Sequence, residues 1–291
     1  MAVSAAWRRR ALRLFHSLGI EAASIGPRAG VVGLRRRAQV RKLAPGAVLA
    51  ADRELARQDW FEMETGLASY LAHGHVAALL DLHGINCVLD VGAHRGQFAL
   101  LLRDAGYRGH VASFEPVPEA FAQLQRAASK DPAWTAYPWA LGREERRMPM
   151  NVVPDTLSSL LPATSFGARR HPRLRQPTAI DVPVRRLDAI LDEVLAPVAD
   201  PRPYLKLDTQ GYDLEVFAGL GERVADFVGL QSEVALLQIY EGMPRMPEAL
   251  AAYEAAGFEI TALYPVSRDR RTARVLEFDC VMVRDRSSRR P

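Results

Sequence analysis

The sequence predicts an α/β fold with a mainly parallel sheet that ends in an antiparallel hairpin. Three observations lead to this prediction. From residue 87 onward, short apolar runs alternate with amphipathic helical segments, as in parallel βαβ units. A glycine-containing loop follows the first apolar run, at the place where doubly wound sheets bind their ligands. Two further strand-like runs, FEITALYPV and VLEFDCVMV, close the pattern.

The elements follow one another in a regular order up to Gly142. Residues 52–82 are predicted to be helical, and the strands that follow are predicted at 87–91, 110–114 and 134–140, with helices at 96–105 and 118–129 between them. The alternation then breaks, and two edge strands at 146–153 and 179–186 flank a stretch rich in Pro, Ser and Arg. We therefore predict an insertion or lid over about 143–186. Beyond it come a strand at 204–208, a helix at 212–219, a strand at 227–237, a helix at 246–256 and the final two strands.

The composition is that of a folded protein without a membrane-spanning segment. Of the 291 residues, 48% are apolar and 25% are charged. No run of about 18 uncharged apolar residues occurs, and no apolar signal segment follows the arginines near the N-terminus. The two cysteines, Cys87 and Cys280, lie inside apolar strand-like runs, which is typical of buried thiols in a reducing compartment. We therefore expect a cytoplasmic protein.

Basic residues are concentrated at the two ends of the chain. Residues 1–50 carry a net charge of +9 and residues 284–291 carry +3, which leaves −8 for residues 51–283 out of the total of +4. An acidic core argues against nucleic acid as a partner. Residues 7–20 have a basic amphipathic pattern, so we expect residues 1–50 to be an extension that is partly helical or disordered. Such an extension could contact an anionic membrane surface, pack on its own domain or remain solvated.

The glycine loop lies in the segment VLDVGAHRGQF, residues 88–98. A dinucleotide site would need glycines where His94 and Gln97 stand, and a phosphate loop would need a lysine that is absent. The pattern present is Asp90, Gly92 and Gly96. A loop of this kind, preceded by a carboxylate, suits a ligand with a positive group better than a pyrophosphate.

A second carboxylate narrows the choice of ligand. Glu115 ends the next strand, in SFEPVPEAF, and lies 23 residues after Gly92. An acid at this place accepts hydrogen bonds from two ribose hydroxyls. A cofactor with a ribose and a positive centre, but no pyrophosphate, is S-adenosylmethionine.

Four segments of the chain resemble the FkbM-type methyltransferases: VLDVGAHRGQFALLL, SFEPVPEAFAQL, WALG at 139–142, and YLKLDTQGYDLEVFAGL at 204–220. The resemblance covers about residues 85–283. It implies a Rossmann-like class I methyltransferase fold, with a mainly parallel seven-stranded sheet and a terminal antiparallel strand. It also implies methyl transfer from S-adenosylmethionine to a hydroxyl of a sugar, glycolipid or other small natural product. We accordingly place a methyltransferase domain at 51–283 and a basic tail at 284–291.

The resemblance assigns the cofactor to the carboxyl ends of the first three strands, namely to Asp90, Gly92, Ala93, Gly96, Glu115, Pro116, Ala140 and Leu141. For the chemistry we favour Asp208 as base, with Lys206 on the same face of its strand. A neighbouring lysine makes an aspartate a weaker base and a better positioning group, and the two residues could equally form a structural ion pair. The family commonly has Glu where this chain has Asp213, which we expect to cap the following helix.

Other acceptors and functions remain open from the sequence. Glu233 and Asp208 could together hold a divalent ion, but no histidine follows His171 to complete a stronger site, so no metal site is predicted. The arginines of the insertion would suit an anionic acceptor; they are Arg169, Arg170, Arg173 and Arg175. His171 is either a base from the lid or part of a solvated loop. A methyltransferase with a nitrogen acceptor and an inactive binding protein of the same fold are the alternative functions.

Overall fold

The computed structural model describes residues 20–24, 31–35, 38–44, 47–52, 60–154 and 156–284. The chain divides into two compact units, Met1–Gly66 and Leu67–Pro291. The domain boundary predicted at residues 50 and 51 stays a prediction. Most of the helix predicted over residues 7–20 and the basic tail beyond Arg284 lie outside the described residues.

The first unit contains two antiparallel strand pairs. β1 (Ile20–Ser24) pairs with β2 (Val31–Arg35), and β3 (Ala38–Ala44) pairs with β4 (Ala47–Asp52). The lack of a clear periodicity over residues 21–48 predicts a linker, and this prediction is wrong for the strands that lie in that range. Short strand pairs depend on hydrogen bonds to a partner and need no amphipathic period, so the sequence pattern did not indicate them. The helix predicted over 52–82 is present as α1 (Trp60–Leu82), and Asp52 belongs to β4 instead.

The second unit is built mainly on alternating strands and helices. They are β5 (Cys87–Val91), α2 (Gln97–Asp104), β6 (His110–Phe114), α3 (Pro118–Ala128), β7 (Trp134–Tyr137), β8 (Ala140–Leu141), β9 (Arg146–Val152), α4 (Ser165–Arg170), β10 (Thr178–Arg185), α5 (Leu187–Leu195), β11 (Pro203–Leu207), α6 (Asp213–Ala218), β12 (Gly229–Ala235), α7 (Met246–Ala255), β13 (Glu259–Arg268) and β14 (Val275–Val283). None of the helices in residues 60–284 has the length and hydropathy needed to cross a membrane.

The main sheet confirms the predicted fold class. Its seven strands lie in the order β13-β14-β12-β11-β5-β6-β7, and β14 runs in the direction opposite to the other six. Helices cover both faces, as the side chains of β5 show: Leu89 packs in the cluster with α5, α6 and α7, whereas Val88 packs in the cluster with α1, α2 and α3. The chain order reverses at β5, which has β6 on one side and β11 on the other. The carboxyl ends of these three strands therefore form the crevice in which such a sheet binds ligands.

The third predicted strand ends earlier than residue 140. Pro138 follows Tyr137 and has no N–H to donate to a ladder, which is consistent with the end of β7. The chain then leaves the main sheet, and β8 pairs with β10 in a separate three-stranded sheet of order β8-β10-β9. The two strands predicted around the insertion are present, but they belong to this second sheet and not to an edge of the main one.

The insertion is packed against the loop that follows β12. Val153 and Leu174 from the insertion share a buried cluster with Ile239, Tyr240 and Met243. Gly167 allows the close approach, because a Cβ there would lie 2.2 Å from the carbonyl oxygen of Ile239. In this structure the insertion is an ordered part of the domain and it carries the second sheet over the crevice.

Candidate active site

A cavity of about 530 Å³ lies at the carboxyl ends of β5, β6 and β11, and the second sheet contributes to its walls. Six of the residues predicted from the sequence line it: Gly92, Glu115, Pro116, Ala140, Leu141 and Asp208. Asp90, Ala93, Gly96 and Lys206 are close to this cavity in sequence but do not line it.

The loop after β5 passes very close to the chain that leaves β11. Gly92 has a φ of 79°, and a Cβ at this position would lie 1.9 Å from the carbonyl oxygen of Asp208. The N–H groups of Gly92 and Ala93 both donate to the carbonyl oxygen of Phe114, at 3.1 and 3.0 Å. Only glycine fits this position, and the bonds to β6 hold the loop at the rim of the cavity.

The second glycine of the motif has a packing role. Gly96 has a φ of 87° and immediately precedes α2. A Cβ on it would lie 2.7 Å from the ring of Trp134. Gly96 therefore allows α2 to pack against the neighbouring side chain, and it shapes the loop without facing the cavity.

Glu115 is fixed at the end of β6. Its side chain is buried, and its two oxygens accept hydrogen bonds from the backbone N–H groups of His94 and Val117, both at 2.8 Å. Burial raises the pKa of Glu115 to about 7, although both backbone donors act to lower it. Each oxygen retains capacity for a further donor, as a pair of vicinal hydroxyls would need.

An apolar slot continues from Glu115 toward the second sheet. Trp139, Ala140 and Leu141 line it together with Met150 and Val152 of β9, and both β8 and β9 belong to the second sheet. The Trp139 ring also stacks on Tyr137, with 5.0 Å between ring centroids. The sequence did not indicate the contribution of β9, because β9 reaches the cavity only by pairing with a strand distant along the chain.

Lys206 stands between two carboxylates. Its Nζ lies 3.1 Å from Oδ1 of Asp90, 3.3 Å from Oδ2 of Asp208 and 3.4 Å from the carbonyl oxygen of Gly92. Burial alone would lower the pKa of Lys206, but the negative charges of Asp90 and Asp208 outweigh burial and raise it above its ordinary value. Asp90 also accepts a bond from Ser113 and is fully buried. The structure thus places Asp90 behind Lys206, and only Asp208 of the three faces the cavity.

The loop after β11 is held from several sides. Oδ1 of Asp208 accepts a bond from Nε2 of Gln210 at 3.0 Å, and Gln210 itself adopts a left-handed conformation with a φ of 54°. Ser159 of the insertion donates to the carbonyl oxygen of Gln210 at 2.7 Å, and the Tyr240 hydroxyl lies 3.3 Å from its Oε1. The sequence analysis missed Gln210, since its role depends on contacts with distant parts of the chain.

The prediction that Asp213 caps α6 is wrong, because Tyr212 is the N-cap residue, no side chain caps the helix, and Asp213 is its first residue. The Asp213 carboxylate accepts from the Thr209 backbone N–H and from the Ser232 hydroxyl, both at 2.8 Å, and lies in the first turn of the helix. Burial raises the pKa of Asp213. The residue stabilises the loop that presents Asp208.

The remaining candidates do not face the cavity. Burial, reinforced by Glu277 and Asp208, raises the pKa of Glu233 well above its usual range. Among the described residues, no group of three or more His, Cys, Asp or Glu side chains is arranged to hold a metal ion. Three of the four arginines predicted to suit an anionic acceptor donate to backbone carbonyls instead, namely Arg170 to Arg268 at 2.7 Å, Arg173 to Pro154 at 3.4 Å and Arg175 to Ala168 at 3.0 Å. Neither these arginines nor His171 line the cavity.

Comparisons with known proteins point to one family. The family model described as the methyltransferase FkbM domain matches residues 90–260. A protein named Methyltransferase 1, from Beauveria bassiana (strain ARSEF 2860), is 24% identical over 190 residues, which cover 61% of this chain and 74% of the relative.

The similar solved structures are more distant. Magnesium protoporphyrin IX methyltransferase from Synechocystis PCC 6803, solved with bound S-adenosylmethionine, has a TM-score of 0.42 at 12% identity and covers 77% of this chain and 83% of its own. A methyltransferase structure from Thermobifida fusca YX, labelled putative, has a TM-score of 0.45 at 10% identity and covers 76% and 82%. With the family model matching more than half of its length, this chain belongs to the FkbM family and is an S-adenosylmethionine-dependent methyltransferase.

Proposed function

We propose that the protein transfers the methyl group to a hydroxyl of a small acceptor, of the sugar, glycolipid or natural-product type. The observation that carries this proposal is the position of Asp208, whose partly exposed carboxylate lines the cavity beside Gly92. A hydroxyl loses its proton as its oxygen is methylated, and a carboxylate in contact with the acceptor can receive that proton or hold the hydroxyl in line.

The residues of the cavity fit the cofactor of the family. Glu115 would accept hydrogen bonds from the two ribose hydroxyls. The slot beside Trp139, Ala140 and Leu141 would bind the adenine. Gly92 lets the loop after β5 pass close to the chain that leaves β11, because a Cβ there would lie 1.9 Å from the carbonyl oxygen of Asp208. When bound, the cofactor supplies a methyl group on a positively charged sulfur.

Lys206 would act by positioning. It bonds to Oδ2 of Asp208, while Gln210 bonds to Oδ1, so the carboxylate is held on both sides. When the hydroxyl of the methyl acceptor donates a hydrogen bond to this fixed carboxylate, the orientation of its oxygen lone pairs is fixed as well. Asp208 is thus the proposed catalytic residue, and Lys206 supports it.

The protein would work in a reducing compartment, which we propose to be the cytoplasm. Cys87 and Cys280 are both buried and free. Burial raises the pKa of each thiol to about 12, so both stay protonated and unreactive. Free thiols in a core suit a reducing environment better than an oxidising one.

The proposal is tested by incubating the protein with S-adenosylmethionine and paired acceptors. Each pair has one scaffold with either a hydroxyl or an amine at the same position, such as a sugar and its amino sugar. We expect the hydroxyl member to gain one methyl group, seen by mass spectrometry and assigned to oxygen by NMR. Methylation of the amines alone would replace this proposal with a nitrogen acceptor. Binding of the cofactor with no turnover of either set would favour the inactive binding protein.

A further inference from the structure

We propose that Asp208 makes the site select the positively charged cofactor over its neutral product, because Asp208 presents the excess negative charge of the Asp90–Lys206–Asp208 trio to the cavity. The proposal rests on the cofactor of the family and not on the class of acceptor. It concerns S-adenosylmethionine, which carries a sulfonium, and S-adenosylhomocysteine, the thioether that remains after methyl transfer.

The excess charge lies at the cavity end of the trio. One lysine neutralises only one of the two carboxylates, so the net charge of the trio is −1. The side chain of Asp90 is 0% exposed and that of Lys206 is 8% exposed, whereas that of Asp208 is 39% exposed. Because Asp90 and Lys206 are 3.1 Å apart and sealed from solvent, they form the neutral part, and Asp208 carries the surplus.

The topology places this charge where the sulfur should lie. Gly92 follows β5, which is flanked by β6 with Glu115 at its end and by β11 with Asp208 immediately after it. Neighbouring strands are about 4.8 Å apart, so the two carboxylates lie on opposite sides of Gly92. A cofactor whose ribose is bound by Glu115 extends its sulfur and its amino-acid part across Gly92 toward Asp208.

Other charged side chains of the cavity are less suited to this role. Glu115 is committed to backbone donors and to the ribose side, and Glu119 lies on α3 with its residue exposed. Arg95 also lines the cavity but is exposed, so solvent screens its charge. Asp208 is fixed by Lys206 and Gln210, and a carboxylate already held in place needs no reorganisation to meet a cation.

Charge selection has a consequence for turnover. The cofactor binds as a cation, and methyl transfer leaves a thioether without charge on sulfur. The attraction to Asp208 is then lost, which favours release of the product over the cofactor. A site without this charge would bind the two molecules more equally and would be inhibited more strongly by its product.

The test uses ligands that differ mainly in charge at this position. Sinefungin has an amino-bearing carbon in place of the methylated sulfur, so it is a stable cationic analogue, and S-adenosylhomocysteine is the neutral one. Calorimetric titration of both gives the ratio of their affinities for the wild-type protein and for Asp208→Asn, Asp208→Glu and Glu119→Gln. S-adenosylmethionine itself is titrated in parallel.

We expect Asp208→Asn to reduce the preference for sinefungin over S-adenosylhomocysteine about tenfold, which corresponds to about 1.4 kcal/mol. Asp208→Glu keeps the negative charge, so it should keep most of the preference for sinefungin over S-adenosylhomocysteine. Glu119→Gln removes a carboxylate from the same cavity and should leave the ratio unchanged. Asp208→Asn keeps the balanced Asp90–Lys206 pair, so the variant should fold, and its melting temperature without ligand checks this.

An unchanged ratio in Asp208→Asn, with both ligands still bound, would overturn the proposal and leave the methyltransferase function intact. The proposal also fails if Asp208→Asn weakens both ligands equally, since Asp208 would then be a general contact. An equal loss of preference in Glu119→Gln would assign the selection to the overall charge of the cavity instead of to Asp208.

Discussion

At the scale of single residues, the placement of each carboxylate decides whether it faces the cavity, since Asp90 and Glu115 are both buried. Asp90 and Glu115 both belong to segments that the sequence marks as ligand binding, yet Asp90 lies behind Lys206 and only Glu115 lines the cavity. The sequence did allow for an ion pair between Lys206 and Asp208. It could not show that Lys206 also pairs with Asp90, because that contact depends on the register of β5 against β11.

The raised pKa of Glu115 predicts a pH dependence of cofactor binding. Since its pKa is about 7 in the free protein, the carboxyl is protonated at lower pH and then accepts ribose hydroxyls less well. We expect the affinity for S-adenosylhomocysteine to rise by at most about tenfold per pH unit as the pH increases from about 5.5 to about 7. Above about pH 7 the affinity should level off. Calorimetric titration across this range measures the dependence.

Glu115→Gln is the control, because a glutamine keeps the shape of the side chain but does not ionise. Its affinity for S-adenosylhomocysteine should be weaker and nearly independent of pH over the same range. A wild-type affinity that is equally flat would contradict the role given to the ionised Glu115.

At the scale of elements, the parallel part of the sheet could be predicted and the second sheet could not. Each strand from β5 to β7 is followed by a helix or preceded by one, which makes the alternation visible in a short window of sequence. β8 has only two residues and pairs with β10 after a long intervening stretch, with Val184 opposite Ala140. No local pattern indicates a partner so far away along the chain, so the sequence predicts an insertion or lid over about 143–186 but not the second sheet that its strands form.

The insertion should stabilise the loop that carries Asp208. Ser159 is fully buried, and its hydroxyl donates to the carbonyl oxygen of Gln210. Ser159→Ala leaves that carbonyl without this donor, so we expect a loss of about 1–3 kcal/mol in the free energy of unfolding, measured by urea denaturation. Ser165→Ala, at an exposed position of the same insertion, should change it by less than about 0.5 kcal/mol. An equally small effect of Ser159→Ala would show that the insertion is not anchored at Gln210.

At the scale of the whole molecule, the chain combines a methyltransferase unit with a smaller N-terminal unit of strand pairs. The fold class, the cofactor and the family could be predicted from sequence motifs that occur in the order and spacing typical of the family. The most informative motifs are the loop at Gly92 and the segment from Tyr204 to Leu220. The N-terminal strands could not be predicted, because a short strand pair has no periodic sequence pattern that identifies it without its pairing partner. The class of acceptor stays a prediction from the resemblance to the family.

The central claim is that the cavity binds S-adenosylmethionine through Glu115, and calorimetric titration of the cofactor and of S-adenosylhomocysteine tests it most directly. We expect one site per chain in the wild-type protein, loss of binding in Glu115→Ala and retention in Glu119→Ala. Ligand at 100 times its dissociation constant should add about 2.7 kcal/mol of stability and raise the melting temperature by roughly 5–10 °C. Folded wild-type protein that binds neither molecule would contradict the account, as would Glu115→Ala binding both as well as the wild type does.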